Sequence, residues 1–186
     1  MKVFVARPRA IAVVAFVVAA VTFPPIAGGT TYTLAAWGAL CLLAAAIAVH
    51  DLATMLIPDR YTLGILLVGF AEWLFMSGHA EVLAMRACGA LLLVAALWLF
   101  DKYYERLRGQ TGLGMGDIKL LGASALLVGI SGAGIQIMLA AAAALTFISL
   151  RAMRLRRPLR AVAKVPFGTF LAPALVIIWA WLPATW

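Results

Sequence analysis

The sequence has few charged residues for its length. Charged side chains make up 12% of the 186 residues, whereas hydrophobic side chains make up 66%. A soluble domain is roughly one-quarter charged, so this chain has too few polar groups to cover a water-exposed surface. The composition excludes an ordinary soluble domain. We therefore predict an all-α, polytopic integral membrane protein that forms one domain over residues 1–186.

Cysteine and histidine are also scarce. Cys41 and Cys88 lie in different apolar segments without a CxxC spacing, which excludes a disulfide framework or a zinc site of that type. His50 and His79 fall on opposite sides of the predicted membrane and form no ligand cluster. We therefore expect no metal site and no other cofactor.

The charge that is present is mostly basic, with 15 Lys and Arg against 7 Asp and Glu. These basic residues stand in short gaps between apolar runs and are not interleaved with aromatic side chains. That pattern sets membrane orientation and contacts with lipid head groups, and it argues against a nucleic-acid partner.

Seven apolar segments are separated by short gaps. They cover residues 10–28, 33–50, 61–77, 82–100, 118–131, 134–150 and 165–182. One helix over 118–150 would be about 50 Å long, although the hydrocarbon core is only about 30 Å thick. The glycines of VGISGAG (128–134) instead predict a turn between two short helices. We therefore predict about seven transmembrane helices, within a range of six to eight.

Orientation follows from the gaps that carry lysine and arginine. With seven spans, every basic gap falls on one side, and the gaps GGTTY, GHAE and SGAG on the other side have no basic residue. The positive-inside rule then puts the N-terminus in the cytoplasm and the C-terminus outside. The N-terminal segment lacks a clean cleavage site, so we interpret it as a transmembrane helix that is retained.

Two aspartates stand at the predicted cytoplasmic boundary of the membrane. Asp51 ends the second apolar segment, and Asp117 begins the fifth. Two carboxyl groups at one depth can share a proton, so that one activates a water while the other polarises a peptide carbonyl. Gly114 and Gly116 allow a substrate backbone to approach closely. Spacing alone leaves an equal alternative, in which both aspartates merely mark helix ends.

Three sequence blocks help to decide between a catalytic role and a helix-end role for these aspartates. They are DLATMLIPDRYTLG (51–64), GLGMGDIKLLGASALLVG (112–129) and KVPFGTFLAPA (164–174). In order and spacing they resemble the type IV prepilin peptidases, membrane aspartic proteases with a GxGD motif, over a core of residues 33–182. The third block departs from the family pattern at Thr169, where proline is usual.

The resemblance implies that Asp51 and Asp117 are the catalytic pair. It also implies a prepilin or pseudopilin substrate with a short basic leader, cleaved at the cytoplasmic face of a prokaryotic inner membrane. Many bacterial members carry an insertion with paired CxxC motifs that is linked to N-methylation. This sequence has no CxxC, so we expect peptidase activity without methyl transfer.

Several neighbouring residues are candidates for binding substrate or supporting the site. They are Gly114, Gly116, Lys119, Pro58, Asp59, Pro166 and Gly168. Lys119 either neutralises a carboxylate or contacts the peptide, or it only extends to the interface. Asp59 either holds the basic leader or caps the helix that follows Pro58, and capping is the simpler interpretation.

Two other functions are compatible with a membrane carboxylate pair. A presenilin-like or signal-peptide-peptidase-like protease would cut within the membrane, but the position of Asp51 at a helix end argues against it. A small transporter would use the carboxylates as a proton site, yet the sequence shows no inverted repeat.

Two further charges lie within the apolar segments, away from the predicted site. Glu72 and Arg86 flank the short gap GHAE. Because an isolated charge is costly in hydrocarbon, we predict that these side chains pair with each other near the outer leaflet. Glu81, within the gap, is the alternative partner for Arg86.

Overall fold

A computed structural model describes residues 31–155 and 166–181, and all regular secondary structure in these ranges is helical. These two ranges contain five α-helices: α1 (Thr31–Thr54), α2 (Asp59–Glu72), α3 (Ala80–Arg108), α4 (Met115–Leu155) and α5 (Gly168–Trp181). A π-helical turn at Trp73–Ser77 extends α2. The all-α class is confirmed, but the count of about seven transmembrane helices is not. The predicted first helix and most of the basic segment 151–164 lie outside the described residues.

Three of the helices are long and apolar enough to cross a membrane: Tyr32–Thr54, Ala80–Arg108 and Met115–Arg154. Gly168–Trp181 is a shorter apolar helix. Large apolar side chains remain exposed along α3, including Leu91, Leu92 and Leu99. Apolar groups exposed on this scale are stable in lipid, not in water, as expected for a membrane protein.

The core is built around α5. Most residues from Gly168 to Ile178 are buried, and α5 packs against both α1 and α4. Helix α4 also packs against α2 and α3. Leu40 and Ile47 of α1, Leu120 of α4 and Leu171 of α5 are all within the buried cluster. Helices α4 and α5 therefore hold the other elements together.

The predicted break between the fifth and sixth apolar segments consists of one residue. Gly129 has φ 74° and ψ 169°, which is not helical, whereas the helix resumes immediately after it. The Cβ that Gly132 lacks would lie 2.8 Å from Val128 Cβ, although residues four apart in a regular helix keep these atoms about 5–6 Å apart. The chain therefore changes direction sharply at Gly129. The expectation that SGAG (131–134) forms a gap was wrong, because one glycine is sufficient for the turn.

The predicted end of the fourth apolar segment also needs correction. The cytoplasmic gap expected at 101–117 is shorter, because α3 continues to Arg108 and Gly109 ends it in the left-handed conformation. The side chains of Lys102 and Glu105, three residues apart, form an ion pair that favours helix in this extension.

Glu72 and Arg86 have direct partners that the sequence did not indicate. Trp179 Nε1 donates a hydrogen bond of 2.6 Å to Glu72 Oε2, and Arg86 Nη1 donates to the Leu127 and Leu126 carbonyls at 2.5 and 3.4 Å. Those carbonyls lie just before the break at Gly129. The contacts seen for these side chains are therefore with Trp179 and with the carbonyls near the break, and the predicted pairing of Glu72 with Arg86 stays a prediction.

Gly129→Ala should destabilise the protein, because φ 74° with ψ 169° is a conformation restricted almost entirely to glycine. We expect the free energy of unfolding in detergent to fall by about 1–3 kcal/mol. No atom lies within 4 Å of the added Cβ, so the loss would come from the backbone alone.

Gly134→Ala is the matched control, since its Cβ also meets nothing within 4 Å but its backbone is helical. It should leave stability unchanged or raise it by up to about 1 kcal/mol. Equal effects of the two substitutions would contradict a strained turn at Gly129.

Candidate active site

One end of the helix bundle gathers the termini of several helices. Helix α1 ends at Thr54, where Met55 takes a left-handed conformation with φ 55°, and Pro58 leads into α2. His50 Nδ1 lies 3.0 Å from the Leu56 carbonyl oxygen and 2.9 Å from Thr54 Oγ1, so this side chain fixes the turn. Helices α4 and α5 begin at the same end. The three predicted blocks therefore meet at one site.

Asp51 and Asp117 lie on either side of Gly168, the first residue of α5. A Cβ added to Gly168 would be 3.1 Å from Asp51 Oδ2 and 3.2 Å from Asp117 Oδ1. Since both oxygens lie within 3.2 Å of one point, their separation cannot exceed twice that distance. The structure thus brings both predicted aspartates and Gly168 together.

Thr169 supports Asp51 through two hydrogen bonds. Its backbone N–H donates to Asp51 Oδ2 at 2.8 Å, and its hydroxyl donates to the same oxygen at 3.1 Å. Asp51 is 4% exposed and Thr169 is 1% exposed, so both groups are shielded from water. Sequence reasoning recorded Thr169 only as a departure from the family block and missed this role. The departure itself was the available signal, because proline has no N–H and no hydroxyl to donate.

Asp117 lies in the first turn of α4. Its backbone N–H and that of Ile118 donate to the Gly114 carbonyl at 3.0 and 3.2 Å, which closes the first turn. A Cβ on Gly114 would lie 3.1 Å from Asp117 Oδ2. Gly114 is therefore adjacent to the carboxyl group, and its role in the approach of a substrate stays a prediction.

Ile57 fills the space beside the two aspartates. Added Cβ atoms on Gly116 and Gly168 would lie 3.0 Å from Ile57 Cβ and 2.6 Å from Ile57 Cδ1. The segment before α2 therefore packs between the first turns of α4 and α5. This explains the need for glycine at both positions, and Ile57 is a site residue that sequence reasoning did not single out.

Lys119 and Asp59 are bound to each other. Lys119 Nζ lies 2.8 and 3.1 Å from the two carboxylate oxygens of Asp59, with side chains that are 48% and 76% exposed. Of the roles considered for Lys119, the structure shows the one in which it pairs with a carboxylate, and that carboxylate is Asp59. The preferred interpretation of Asp59 as a helix cap was wrong, because Pro58 occupies the cap position and the Asp59 carboxylate is held by Lys119.

The remaining predicted residue, Pro166, is buried at the start of the second described range. It leads into Phe167, whose carbonyl accepts the backbone N–H groups of Phe170 and Leu171 in the first turn of α5. Within 31–155 and 166–181, no group of three or more His, Cys, Asp and Glu side chains is arranged to hold a metal ion.

The site is open on one side. Asp117 is partly exposed, and the adjacent Gly114 and Met115 are exposed. Met55 and Leu56, which follow α1, are 45% and 69% exposed. The pair is therefore accessible from the side of Asp117, whereas Asp51 is buried.

Gly168→Ala should destabilise the protein, because the new methyl group would press on Ile57 and on both carboxylates. Overpacking of this kind costs about 1–3 kcal/mol in the free energy of unfolding. Ile57→Val removes the Cδ1 atom in the closest contact, so the double variant should lose less stability than the two single losses combined.

Gly38→Ala serves as the control, since no atom lies within 4 Å of its added Cβ. The stability of Gly168→Ala, Ile57→Val, the double variant and Gly38→Ala is measured by thermal unfolding in detergent. Additive losses in Gly168→Ala/Ile57→Val would show that Ile57 does not pack against Gly168.

Comparison with known proteins points to one family of peptidases. Residues 38–150, more than half of the chain, match the type IV leader peptidase family. A prepilin leader peptidase/N-methyltransferase from Burkholderia pseudomallei (strain K96243) is 38% identical over 153 residues, which are 78% of this chain and 45% of that protein. The protein of the same name from Aeromonas salmonicida is 30% identical over 174 residues, covering 91% of this chain and 54% of the relative. No solved structure matches the chain.

The chain spans about half the length of the curated relatives it matches. The matched family segment begins within α1 and ends within α4, and it includes both aspartates of the site. The chain belongs to the type IV leader peptidase family.

Proposed function

We propose that this protein is a membrane aspartic endopeptidase that removes the short basic leader of a prepilin or pseudopilin. Membership of the type IV leader peptidase family and the names of the relatives support this substrate class. The observation that carries the proposal is the position of Asp51 Oδ2 and Asp117 Oδ1, both within 3.2 Å of one point beside Gly168.

Two carboxyl groups this close favour a state with one shared negative charge, because two ionised groups would repel each other. Asp51 has the better-stabilised carboxylate, since it accepts two hydrogen bonds from Thr169. Asp117 lies close to the charge of Asp51, which disfavours a second ionised carboxylate beside it. We therefore assign the negative charge to Asp51 and the proton to Asp117.

The assignment gives each carboxyl group one role in peptide hydrolysis. Asp51 takes a proton from a water molecule as the water oxygen attacks the scissile carbonyl carbon. Asp117 donates its proton to the carbonyl oxygen and stabilises the charge that develops there. Both roles are filled by carboxyl groups, so the proposed mechanism uses no metal or other cofactor.

The surroundings of the pair fit a peptide substrate in extended conformation. Gly114 and Met115 at the start of α4 and Met55 and Leu56 after α1 are exposed, so backbone and apolar side chains are available to a peptide at this end of the bundle. Lys119 and Asp59 neutralise each other at the edge of this surface.

We propose that this end of the bundle faces the cytoplasm in the inner membrane of a prokaryotic cell. Three arginines lie at the same end of the bundle as the aspartates. They are Arg60 at the start of α2 and Arg106 and Arg108 at the end of α3. Basic residues at helix ends are enriched on the cytoplasmic side, and the relatives come from bacteria.

Asp51→Asn and Asp117→Asn should each abolish cleavage of a prepilin while the protein remains folded in detergent. Each role requires a carboxyl group that exchanges a proton, and loss of such a group costs about 100- to 10,000-fold in rate. Processing is measured by the mobility shift of a co-expressed prepilin, and folding by thermal unfolding.

Asp59→Asn is the matched control, because this exposed carboxylate is bound to Lys119 and lies outside the pair. It should process prepilin at a rate close to that of the wild type. Substantial processing by either variant of the pair would remove that residue from the mechanism.

Substitutions at Thr169 test the assignment of the charge. Thr169→Ser keeps both donors, Thr169→Val keeps the N–H alone, and Thr169→Pro removes both. Proline is compatible with the first turn of a helix, so the last variant should fold. We expect the acid side of the pH–rate profile to lie at progressively higher pH from Ser to Val to Pro, because an ionised Asp51 loses stabilisation in that order.

Two other titratable groups lie near Asp51, namely Asp117 and His50. Neither is changed in this series of variants. A general loss of folding would lower the rate at every pH and would not move the profile. Coinciding profiles for Thr169→Ser and Thr169→Pro would contradict the assignment.

A further inference from the structure

Helix α3 buries a single residue, and that residue is a carboxylate. Asp101 is 6% exposed, whereas the rest of this 29-residue helix is partly or fully exposed. A buried acidic side chain is costly unless hydrogen-bond donors compensate it. The burial of Asp101 therefore needs an explanation other than apolar packing.

Its partners are in the loop between α3 and α4. The backbone N–H groups of Gly112 and Leu113 donate to Asp101 Oδ1 at 2.8 and 2.9 Å. Gly112 also lies against the ring of Tyr104, since its missing Cβ would be 2.9 Å from Tyr104 Cδ1. Two consecutive turns of α3 thus contact the loop, Asp101 at Gly112 and Leu113 and Tyr104 at Gly112.

The held residues lead directly to the site. Leu113 precedes Gly114, whose carbonyl accepts the backbone N–H groups of Asp117 and Ile118. The position of Gly114 therefore sets where α4 begins and how the Asp117 carboxyl group is directed. The connection from Asp101 to Asp117 passes through only a few covalent and hydrogen bonds.

We propose that Asp101 is a positioning residue that fixes the 109–114 loop, and through it Asp117, in the geometry required for peptide cleavage. This inference rests on the proposed function, because it assigns a role in the reaction of that site. Asp101 acts through the loop and does not itself contact the reacting atoms. Misplacement of a catalytic group by about 1 Å is enough to cost on the order of 100-fold in rate.

Two substitutions separate position from charge. Asp101→Asn removes the charge but keeps an oxygen that accepts both N–H groups, so kcat for prepilin cleavage should remain within about threefold of the wild type. Asp101→Glu keeps the charge but moves the carboxylate by one methylene group, and kcat should fall by about tenfold or more with a smaller change in KM. An active Glu variant with an inactive Asn variant would overturn the positioning role.

Asp101→Ala and Glu105→Ala form the matched pair of truncations. Both remove one acidic group from the same end of α3, but Glu105 is bound only to exposed Lys102 through its side chain. Asp101→Ala should lower kcat by about tenfold or more, whereas Glu105→Ala should not. Equal activities of these variants would overturn the proposal.

Hydrogen–deuterium exchange provides a measurement that does not depend on enzymatic activity. The amides of Gly112 and Leu113 should exchange faster in Asp101→Ala than in Glu105→Ala, because their acceptor is gone. Unchanged exchange would overturn the proposal even if cleavage falls. If these amides exchange faster in Asp101→Ala but the wild-type protein cleaves no prepilin, the proposed function is refuted, whereas the contact between Asp101 and the loop is confirmed.

Discussion

The close approach of α5 to both aspartates is the constraint on which the site depends. Gly168 has no side chain, so the first turn of α5 reaches the space between Asp51 and Asp117 and brings Thr169 within hydrogen-bonding distance of Asp51. The same approach buries most of α5 between α1 and α4. The packing of the bundle and the geometry of the carboxyl pair are therefore consequences of one contact. A side chain at position 168 would disturb both.

Three polar side chains within the apolar bundle form hydrogen bonds that join different helices. Trp179 donates to Glu72, Arg86 donates to carbonyls near the break in α4, and Gln136 donates to the Leu171 carbonyl. Hydrocarbon offers no alternative partners, so such contacts are worth keeping even when they join distant parts of the sequence. They connect α2 with α5, α3 with α4, and α4 with α5.

The sequence predicted those features that depend on local pattern or on motif. Long apolar runs predicted helices, and the three blocks predicted that Asp51, Asp117 and Gly168 belong to one site. It did not predict the partners of these residues. Thr169, Ile57 and Asp101 act through contacts between residues far apart in the sequence or through backbone N–H groups, and neither is visible in a pattern of residue types. The same limit explains Glu72 and Arg86, whose charges predicted a need for partners but not which atoms would supply them.

The sparse burial of α3 has a consequence for how this helix tolerates sequence change. Its surface consists largely of exposed apolar side chains such as Leu91 and Leu99, for which lipid accepts any apolar shape of similar size. Exchange of one apolar residue for another along this surface is therefore close to neutral. Asp101 is the exception, because no apolar side chain accepts the two N–H groups that it binds. In a library of α3 variants selected for folding and activity, the exposed apolar positions would drift freely, whereas position 101 would keep a side chain that accepts these two N–H groups.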